Sequence, residues 1–466
     1  MSTAEIVPVT ELGAVHFIGI GGSGMSGIAR IMAMNGVSVS GSDAKESAVV
    51  DILRALGARV EIGHSADHLG EADTLVVSSA IREDNPELVA ARARGLRILH
   101  RSGALASLMA DSRAVAVAGT HGKTTTTSMT TVALQACGLD PSFVIGGVLS
   151  TTGTNAHLGT GDVFVAEADE SDGSFLLYEP AIGILTNVEA DHLDHYGTAE
   201  NVRQAFIDFC DGIGRRGGTV IACADDPGSR DVAEHARETG TTVLLYGTAE
   251  DADIRIVDLV SGLGSEFSLL VPGRSAPLPV ALRQPGAHNA RNATAAIAVA
   301  HSLGADVERA AAGLAGYGGT RRRFEERGLA AGVRVIDDYA HHPTEVRAVL
   351  SAARGVVADE GRVWAIFQPH LYSRTAEFKA EFGQALGLAD EVVVLDVFPA
   401  REDPVPGVTG NLIAERVPHS HVTFLSSFGD AVPFVAERVR PGDLVLTIGA
   451  GDVTILGPEI LAALEK

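Results

Sequence analysis

Residues 114–127 read AVAVAGTHGKTTTT, and this stretch indicates a buried strand that gives way to a helix. The apolar run ends at Gly119, and Lys123 with four threonines follows. Backbone N–H groups and the positive end of a helix dipole converge at such a junction and attract an anion. The common phosphate loop has a glycine six places before its lysine, but Val117 stands there, so this loop is shorter. We predict a phosphate-binding loop in a parallel α/β sheet.

The residues of this loop match the needs of a nucleotide triphosphate. Lys123 would neutralise the β- and γ-phosphates, and the hydroxyl of Thr124 would bind Mg²⁺. The alternative is a glycine-rich turn whose threonine merely caps the helix. We favour phosphate binding, with contacts from Gly119, Thr120, His121, Gly122, Lys123, Thr124 and Thr125.

Two later strands end in residues that could bind the metal. VFVAEADESD, residues 163–172, places Glu167 at the end of an apolar strand, where a nucleotide site needs a carboxylate. ILTNVEADHLDHYG, residues 184–197, places His192 after another strand, on the side where a parallel sheet binds ligands. We predict Glu167 as a magnesium ligand and His192 as a ligand of a second magnesium. A solvated acidic loop and an ordinary loop histidine are the alternatives, and no cysteine or third ligand cluster nearby favours zinc.

A second glycine-rich turn lies upstream, in HFIGIGGSGMSG at residues 16–27. It follows a predicted strand and opens a helix, and Asp43 ends the next strand 24 residues after Gly19. This is the general shape of a dinucleotide fingerprint, in which the acid binds a ribose. The pattern alone fits NAD or any nucleotide diphosphate, and a turn that only allows tight packing has the same composition.

Length and composition limit the possible classes of protein. At roughly 150 residues per domain, 466 residues suggest about three domains, and 53 glycines suit small-residue α/β packing. The net charge of −23 argues against a nucleic-acid partner, and 3 scattered cysteines against a disulfide framework. Without a basic N-terminal signal or a long apolar run, we expect a cytoplasmic protein that does not insert into a membrane.

Strands and helices alternate in three series, which predicts three α/β domains. The first series predicts a Rossmann-like domain at residues 1–111, and the second a central parallel-sheet domain at residues 112–322. Closely spaced strands between residues 250 and 280 predict a small antiparallel appendage to the central domain. After YGGTRRRF the alternation restarts, which predicts a C-terminal Rossmann-like domain at residues 323–466.

Seven motifs in this order resemble the Mur ligase family over essentially the whole chain. They are HFIGIGGSGMSGIA with GSD, GTHGKTTT, EADESDGSF, TNVEADHLD, GAHNARN, DDYAHHPTE and QPHLYSRT. The resemblance implies an ATP- and Mg²⁺-dependent ligase that joins L-alanine to UDP-N-acetylmuramate through an acyl phosphate, in peptidoglycan precursor synthesis. The first glycine turn would then hold the diphosphate of the UDP-sugar, and the second would hold ATP.

The resemblance also implies particular site residues. Further ATP contacts are expected from His288, Asn289, Asn292 and Arg322. UDP-sugar contacts are expected from Gly19, Gly21, Gly22, Ser23, Gly24, Met25, Ser26, Asp43, Ser78, Ser79, Tyr339 and His370. The catalytic set is Lys123, Glu167, His192, His341 and Arg374, and the metal ligands are Thr124, Glu167 and His192.

The chain departs from the family pattern at a few positions. Leu371 replaces an arginine of QPHRF, and Arg321 replaces a glycine of the GTGRRF hinge. Several sister ligases carry a carbamylated lysine about fifteen residues after the equivalent of His192, but no lysine lies between His192 and Cys210 here. The resemblance therefore leaves the second magnesium to His192, substrate oxygens and water.

Two alternative functions stay open. A murein peptide ligase of the same family would join a recycled tripeptide to the same nucleotide sugar. A protein of another class, a nucleotide-binding oxidoreductase or regulator, could be built on the first domain. We expect a monomer or a weak homodimer.

Overall fold

The computed structural model describes residues 6–400 and 402–465, which contain three sheets built mainly from parallel strands. The three-domain α/β prediction is confirmed. The described residues form two compact units. The first holds residues up to Val257 with Ser268–Val280 and Arg291–Tyr317, and the second holds Asp258–Phe267, Ala281–Ala290 and residues from Gly318 onward. No helix in the described ranges is long and apolar enough to cross a membrane.

The N-terminal sheet has five parallel strands in the order β3-β2-β1-β4-β5. These are β1 Val15–Ile18, β2 Val39–Asp43, β3 Arg59–Ile62, β4 Thr74–Val77 and β5 Arg97–His100. Helices α1 Ser23–Met34, α2 Ala48–Ala55 and α3 Pro86–Arg94 lie between these strands, and α4 Arg101–Met109 follows β5. The strand order changes direction between β1 and β4, so the ends of these two strands border the crevice where such sheets bind ligands.

The central sheet has ten strands in the order β15-β14-β13-β12-β11-β10-β6-β9-β7-β8. They are β6 Arg113–Ala118, β7 Ser142–Val144, β8 Ala156–His157, β9 Val163–Glu167, β10 Ile182–Leu185, β11 Thr219–Cys223, β12 Thr242–Gly247, β13 Ile254–Ser261, β14 Ser265–Leu270 and β15 Leu278–Leu282. The helices are α5 Lys123–Ala136, α6 Leu193–Tyr196, α7 Ala199–Arg215, α8 Pro227–Glu238, α9 Ala287–Ser302 and α10 Val307–Ala315. Only three residues join β13 to β14, a connection typical of antiparallel neighbours, as the appendage prediction requires.

Helix α5 packs into the centre of this domain although it is rich in threonine. Thr124 to Thr131 are buried along almost their whole run. The hydroxyl of Thr127 donates to the Lys123 carbonyl at 2.9 Å, and that of Thr131 donates to the Thr127 carbonyl at 2.9 Å. Bonds of this kind to the preceding turn satisfy hydroxyl groups that burial removes from water. These two hydroxyls are therefore satisfied within the helix itself.

The C-terminal sheet has six strands in the order β16-β17-β21-β18-β19-β20. They are β16 Glu325–Ala330, β17 Val333–Asp338, β18 Val363–Phe367, β19 Glu391–Leu395, β20 Val422–Leu425 and β21 Leu444–Ile448, all parallel to their neighbours except β16. The helices are α11 Pro343–Arg354, α12 Tyr372–Glu377, α13 Lys379–Leu386, α14 Asn411–Ala414, α15 Ala431–Ala436 and α16 Leu456–Leu464. Apolar clusters cover both faces of the sheet, as its continuous apolar strands predict.

Candidate active site

The predicted phosphate loop connects β6 to α5, and two of its glycines are required by its shape. Gly119 has φ +128°, and a Cβ placed there would lie 2.1 Å from the Thr186 hydroxyl oxygen. Gly122 has φ +79° and forms the N-cap of α5. Residues with side chains rarely adopt these conformations, and at Gly119 no space exists for one. The loop therefore brings free backbone N–H groups to the start of α5, as its sequence predicts.

Residues that follow β10 hold this loop in place. The amide nitrogen of His121 donates to Asn187 Oδ1 at 2.7 Å, and the His121 carbonyl accepts from Thr186 Oγ1 at 2.6 Å and from Asn187 Nδ2 at 3.0 Å. Thr120 accepts from the Glu189 amide at 2.9 Å. Sequence analysis did not single out Thr186 or Asn187, although TN at the end of an apolar strand is a usable signal. The loop is preorganised from the neighbouring strand.

Lys123 lies inside the loop and is paired with a carboxylate. Its Nζ donates to Glu170 Oε1 at 2.9 Å, to the Gly119 carbonyl at 2.7 Å and to the Thr120 carbonyl at 3.1 Å. Burial opposes the charge, but the nearby carboxylates, with Glu170 first, outweigh burial and raise the pKa of Lys123. Burial raises the pKa of Glu170 to about 7 despite Lys123, and the charge of Asp169 contributes to the rise. Glu170 was not among the predicted site residues.

The acidic run after β9 divides its carboxylates among different partners. Glu167 Oε1 accepts from the Gly146 amide at 2.6 Å, and Glu167 Oε2 accepts from the Thr124 hydroxyl at 3.2 Å. Asp169 binds Arg101 at 2.5 Å. Asp172 accepts from the Ser174 amide at 3.1 Å. The run is thus a set of paired acids rather than a solvated loop, and Glu167 is the acid beside the predicted metal hydroxyl.

His192 reaches the same cluster from the loop after β10. It has φ +54°, forms the N-cap of α6, and places Nε2 at 3.9 Å from Glu170 Oε1. The Tyr196 hydroxyl donates to the Glu170 carbonyl at 2.5 Å and fixes the two loops together. The structure therefore brings His192 to Glu170 and Lys123, as a shared site requires. Ile207, at the spacing of the sister ligases' lysine, is buried in the apolar core.

The first glycine loop connects β1 to α1 and is bound by the end of β2. The amides of Gly19 and Ile20 donate to the Ser42 carbonyl at 2.8 and 3.0 Å, and the Gly21 amide donates to Asp43 Oδ2 at 2.8 Å. The Asp43 carboxylate thus supports the loop itself, and its predicted ribose contact stays a prediction.

The other predicted residues of this loop differ in exposure. Met25 and Ser26 are buried, so the Met25 side chain belongs to the core rather than to an open binding surface. Ser78 follows β4 and is half-buried, and Ser79 is exposed. The side chain of Ser23 lies outside the described residues.

A buried polar cluster lies beneath this loop. The Glu87 side chain is fully buried and accepts from Ser42 Oγ at 2.8 Å, with His16 Nε2 also at 2.8 Å. Burial opposes ionisation of Glu87, but its hydrogen bonds, with His16 first, outweigh burial and lower its pKa. The carbonyl of Ser42 that holds the glycine loop is therefore anchored by a charged network.

Asn292 belongs with the phosphate loop, because a Cβ placed on Gly122 would lie 3.1 Å from its Oδ1 atom. His288 and Asn289 are in the second compact unit. There the Asn289 side chain donates to the Pro285 carbonyl at 2.8 Å, and His288 lies against Gly286.

The predicted acceptor residues come together within the second unit. The rings of Tyr339 and His341 have centroids 5.4 Å apart, and those of His341 and His370 are 6.0 Å apart. Arg374 is buried on α12, which follows Leu371. Leu371 has φ +70°, a conformation that strains a residue with a side chain. The departure from the family pattern at Leu371 thus falls at a strained position between His370 and Arg374.

Arg322 is bound within its own unit. Its guanidinium donates to Asp337 at 3.3 Å and to the Gly449 carbonyl at 2.6 Å, and it lies 4.8 Å from the centroid of the Tyr339 ring. These contacts fix the start of the C-terminal sheet. The predicted contact of Arg322 with ATP stays a prediction.

Three family models match the chain in order. "Mur ligase family, catalytic domain" matches residues 14–113, "Mur ligase middle domain" matches residues 117–300, and "Mur ligase, glutamate ligase domain" matches residues 322–451. A UDP-N-acetylmuramate–L-alanine ligase of Saccharopolyspora erythraea is 56% identical over 474 residues, covering 100% of this chain and 96% of that protein.

Two solved structures are similar in fold and sequence. A UDP-N-acetylmuramate–alanine ligase from Thermotoga maritima is 30% identical with a TM-score of 0.81, covering 96% of this chain and 98% of that one. A murein peptide ligase from Psychrobacter arcticus is 27% identical with a TM-score of 0.72, covering 97% of this chain and 99% of that one.

Proposed function

Because the chain belongs to the Mur ligase family, we infer that it is an ATP-dependent ligase that joins L-alanine to UDP-N-acetylmuramate, forming ADP and phosphate. The observation that carries this conclusion is the 56% identity, along the whole chain, to a ligase of that name. The reaction contributes a precursor of peptidoglycan.

The phosphate loop supplies the chemistry that this reaction needs. A carboxylate resists attack by an amine, so ATP first transfers its γ-phosphoryl group to the carboxylate to form an acyl phosphate and ADP. The amine then attacks the acyl carbon, and phosphate leaves. Charge that develops on the transferring group needs a fixed cation, and we assign this role to the ammonium of Lys123, which donates to a loop carbonyl.

We propose that one Mg²⁺ binds at Thr124 and Glu167, and that His192 is a ligand of a second. The fit rests on the donors present: a hydroxyl and a carboxylate oxygen 3.2 Å apart at the start of α5, which suit a hard cation. When bound, the ion would neutralise phosphate oxygens. Glu167 is already oriented by the Gly146 amide at 2.6 Å. His192 enters the site from a separate loop.

This metal proposal includes a second magnesium held without a carbamylated lysine. Arg203 cannot replace such a lysine, because a guanidinium stays protonated and offers no anionic oxygen. Turnover should therefore be indifferent to bicarbonate depletion, and His192→Ala should lower kcat more than it weakens nucleotide binding. A reversible loss of activity in carbon-dioxide-free buffer, rescued by bicarbonate, would overturn the proposal.

The remaining roles are proposed by position. The glycine loop of residues 19–24 would bind the diphosphate of the UDP-sugar through its backbone N–H groups. Tyr339, His341, His370 and Arg374 would surround the lactyl carboxylate and the incoming amino acid, supported by the clustering of three of their rings. We also propose a cytoplasmic location, since both nucleotide substrates are intracellular metabolites, and a monomer or weak homodimer.

A coupled phosphate-release assay tests the function. Release should require both UDP-N-acetylmuramate and an amino acid, and L-alanine should be used better than glycine, L-serine or a free tripeptide. Preference for the tripeptide would identify a murein peptide ligase; the solved enzyme of that name is 27% identical, against 56% for the alanine ligase of Saccharopolyspora erythraea. Phosphate release that depends on neither UDP-N-acetylmuramate nor an amino acid would refute ligase activity of either kind.

A further inference from the structure

One arginine contacts both the first glycine loop and the acidic run that follows β9. Arg101 is the first residue of α4, directly after β5. Its Nη2 donates to Asp169 Oδ2 at 2.5 Å. On the other side, a Cβ placed on Gly24 would lie 2.5 Å from its Nη1. The guanidinium therefore lies between the first glycine loop and the acidic run of the ATP site.

Asp169 in turn acts on the lysine of the phosphate loop. It precedes Glu170, the carboxylate paired with Lys123. Burial raises the pKa of Asp169, but the positive charges of Arg101, which it binds directly, and then of Lys123 outweigh burial and lower it. While Arg101 binds Asp169, the main counter-ion of Lys123 is Glu170, whose Oε1 lies 2.9 Å from the lysine Nζ. If the guanidinium were removed, the Asp169 carboxylate would have Lys123 as its remaining cation, and a lysine held by two carboxylates is less available to phosphate.

Because Arg101 lies beside Gly24, it can also contribute to the predicted diphosphate site. Gly24 lies in the first turn of α1, where backbone N–H groups point at a bound anion. A planar guanidinium can bind a carboxylate and a phosphate oxygen at the same time, because its five N–H donors point in different directions. Arg101 contributes positive charge to the predicted diphosphate site of a strongly acidic chain.

We propose that Arg101 is a positioning residue that serves both nucleotides: it binds the diphosphate of the UDP-sugar, and it keeps Asp169 away from Lys123 so that ATP can bind. The inference rests on the proposed function for its first ligand. It assigns an effect on ATP to a residue that belongs to the N-terminal sheet domain.

Variants at both ends of the ion pair separate this role from simple attachment of one domain to another. Binding of UDP-N-acetylmuramate and of a non-hydrolysable ATP analogue is measured by calorimetry on the full chain. Arg101→Met should weaken both by about tenfold or more, the value of a charged hydrogen bond. Asp169→Asn should leave UDP-sugar binding near the wild-type value, because Arg101 stays available.

The double variant gives the deciding result. Arg101→Met with Asp169→Asn should recover ATP-analogue binding to within a few-fold of wild type and leave UDP-sugar binding weak. Arg101→Lys should retain part of both affinities. If the pair only attached two domains, either single variant would have the same effect and the double variant would be no better, which would overturn the proposal.

A matched control is available on β6. Arg113 binds Asp162 through two hydrogen bonds of 2.7 and 3.0 Å, at the opposite end of the strand from the phosphate loop. Arg113→Gln should change neither affinity. If the wild-type protein itself fails to bind UDP-N-acetylmuramate, the proposed function is wrong. If it binds and Arg101→Met binds equally well, only the role of Arg101 is wrong.

Discussion

Replacement of Lys123 by methionine should lower stability because Glu170 loses its counter-ion. It should lower turnover because the transferring phosphoryl group loses a cation. Methionine keeps an unbranched stem of similar length but removes the ammonium, with its bonds to two loop carbonyls and to Glu170. The Glu170 side chain is only 2% exposed, so the variant leaves a buried carboxylate without its cation. Breaking a buried pair in this way costs about 3–5 kcal/mol of unfolding free energy.

Proton uptake by Glu170 should limit this cost and make it depend on pH. The pKa of Glu170 is about 7 with Lys123 present, and loss of the lysine removes the charge that lowers it. The folded variant would then hold a proton that the unfolded chain loses above its ordinary value of 4.5. Stability of the variant should therefore fall as the pH rises from about 5 to 8.

The double variant Lys123→Met with Glu170→Gln tests the assignment of this pair. Both charges are gone, so most of the lost stability, about 2–3 kcal/mol, should return, and the pH dependence should disappear. Turnover should stay at least about a hundredfold below wild type in both proteins, because the cation at the transferring phosphoryl group is absent. Denaturant unfolding at pH 6 and 8 and the coupled phosphate assay measure the two effects.

Two results would refute this reasoning. Turnover near the wild-type rate in Lys123→Met would show that the loop does not bind the transferring phosphoryl group. A double variant no more stable than Lys123→Met would show that Glu170 is not the counter-ion that the buried lysine needs. UDP-N-acetylmuramate binding, which we assign to the first glycine loop, is the control for intact folding and should persist.

Three further changes test other parts of the site. Glu167→Gln keeps the shape of the side chain but removes its anionic oxygen, so kcat should fall roughly a hundredfold or more. If Asp172→Asn lowered kcat further than this, Asp172 rather than Glu167 would be the metal ligand. Burial raises the pKa of Asp338 to about 6, so the contribution of this carboxyl to wild-type stability should fall as the pH rises from about 4 to 6. Between pH 5 and 7.5 the stability difference, measured by denaturant unfolding, should therefore shift by about 1 kcal/mol in favour of Asp338→Asn. Gly119→Ala places a Cβ 2.1 Å from the Thr186 hydroxyl oxygen, so the loop must shift. Calorimetry should show that the affinity for an ATP analogue falls by about tenfold or more. An unchanged affinity would contradict the assignment of this loop to ATP.

The parts predicted from sequence are those that local rules govern. The strand, loop and helix from Arg113 to Ala136 follow from an apolar run, two glycines and a helix start, all within a few residues of one another. Backbone preference and helix capping act over this distance, so sequence spacing is sufficient. The alternation of elements likewise indicated parallel sheets and the number of domains.

Two edge strands show little of an apolar pattern, for a physical reason. In β3 only Val60 is buried, and in β16 only Ala330 is buried. Both lie at the edge of a sheet, where backbone pairing with one neighbour supplies the order and side chains face solvent. An alternating pattern of apolar residues cannot reveal a strand whose side chains remain exposed to solvent.

The sequence by itself determined that the chain has a short phosphate loop, a second glycine turn and strand ends rich in acids, because these depend on neighbouring residues. It did not determine what each acid does. Within EADESD the carboxylates look alike, yet Glu167 binds Thr124, Asp169 binds Arg101 and Glu170 binds Lys123. These partners lie 43, 68 and 47 residues away, respectively. Charge pairing is decided by distance in space and by burial, and only the tertiary structure brings those partners within reach.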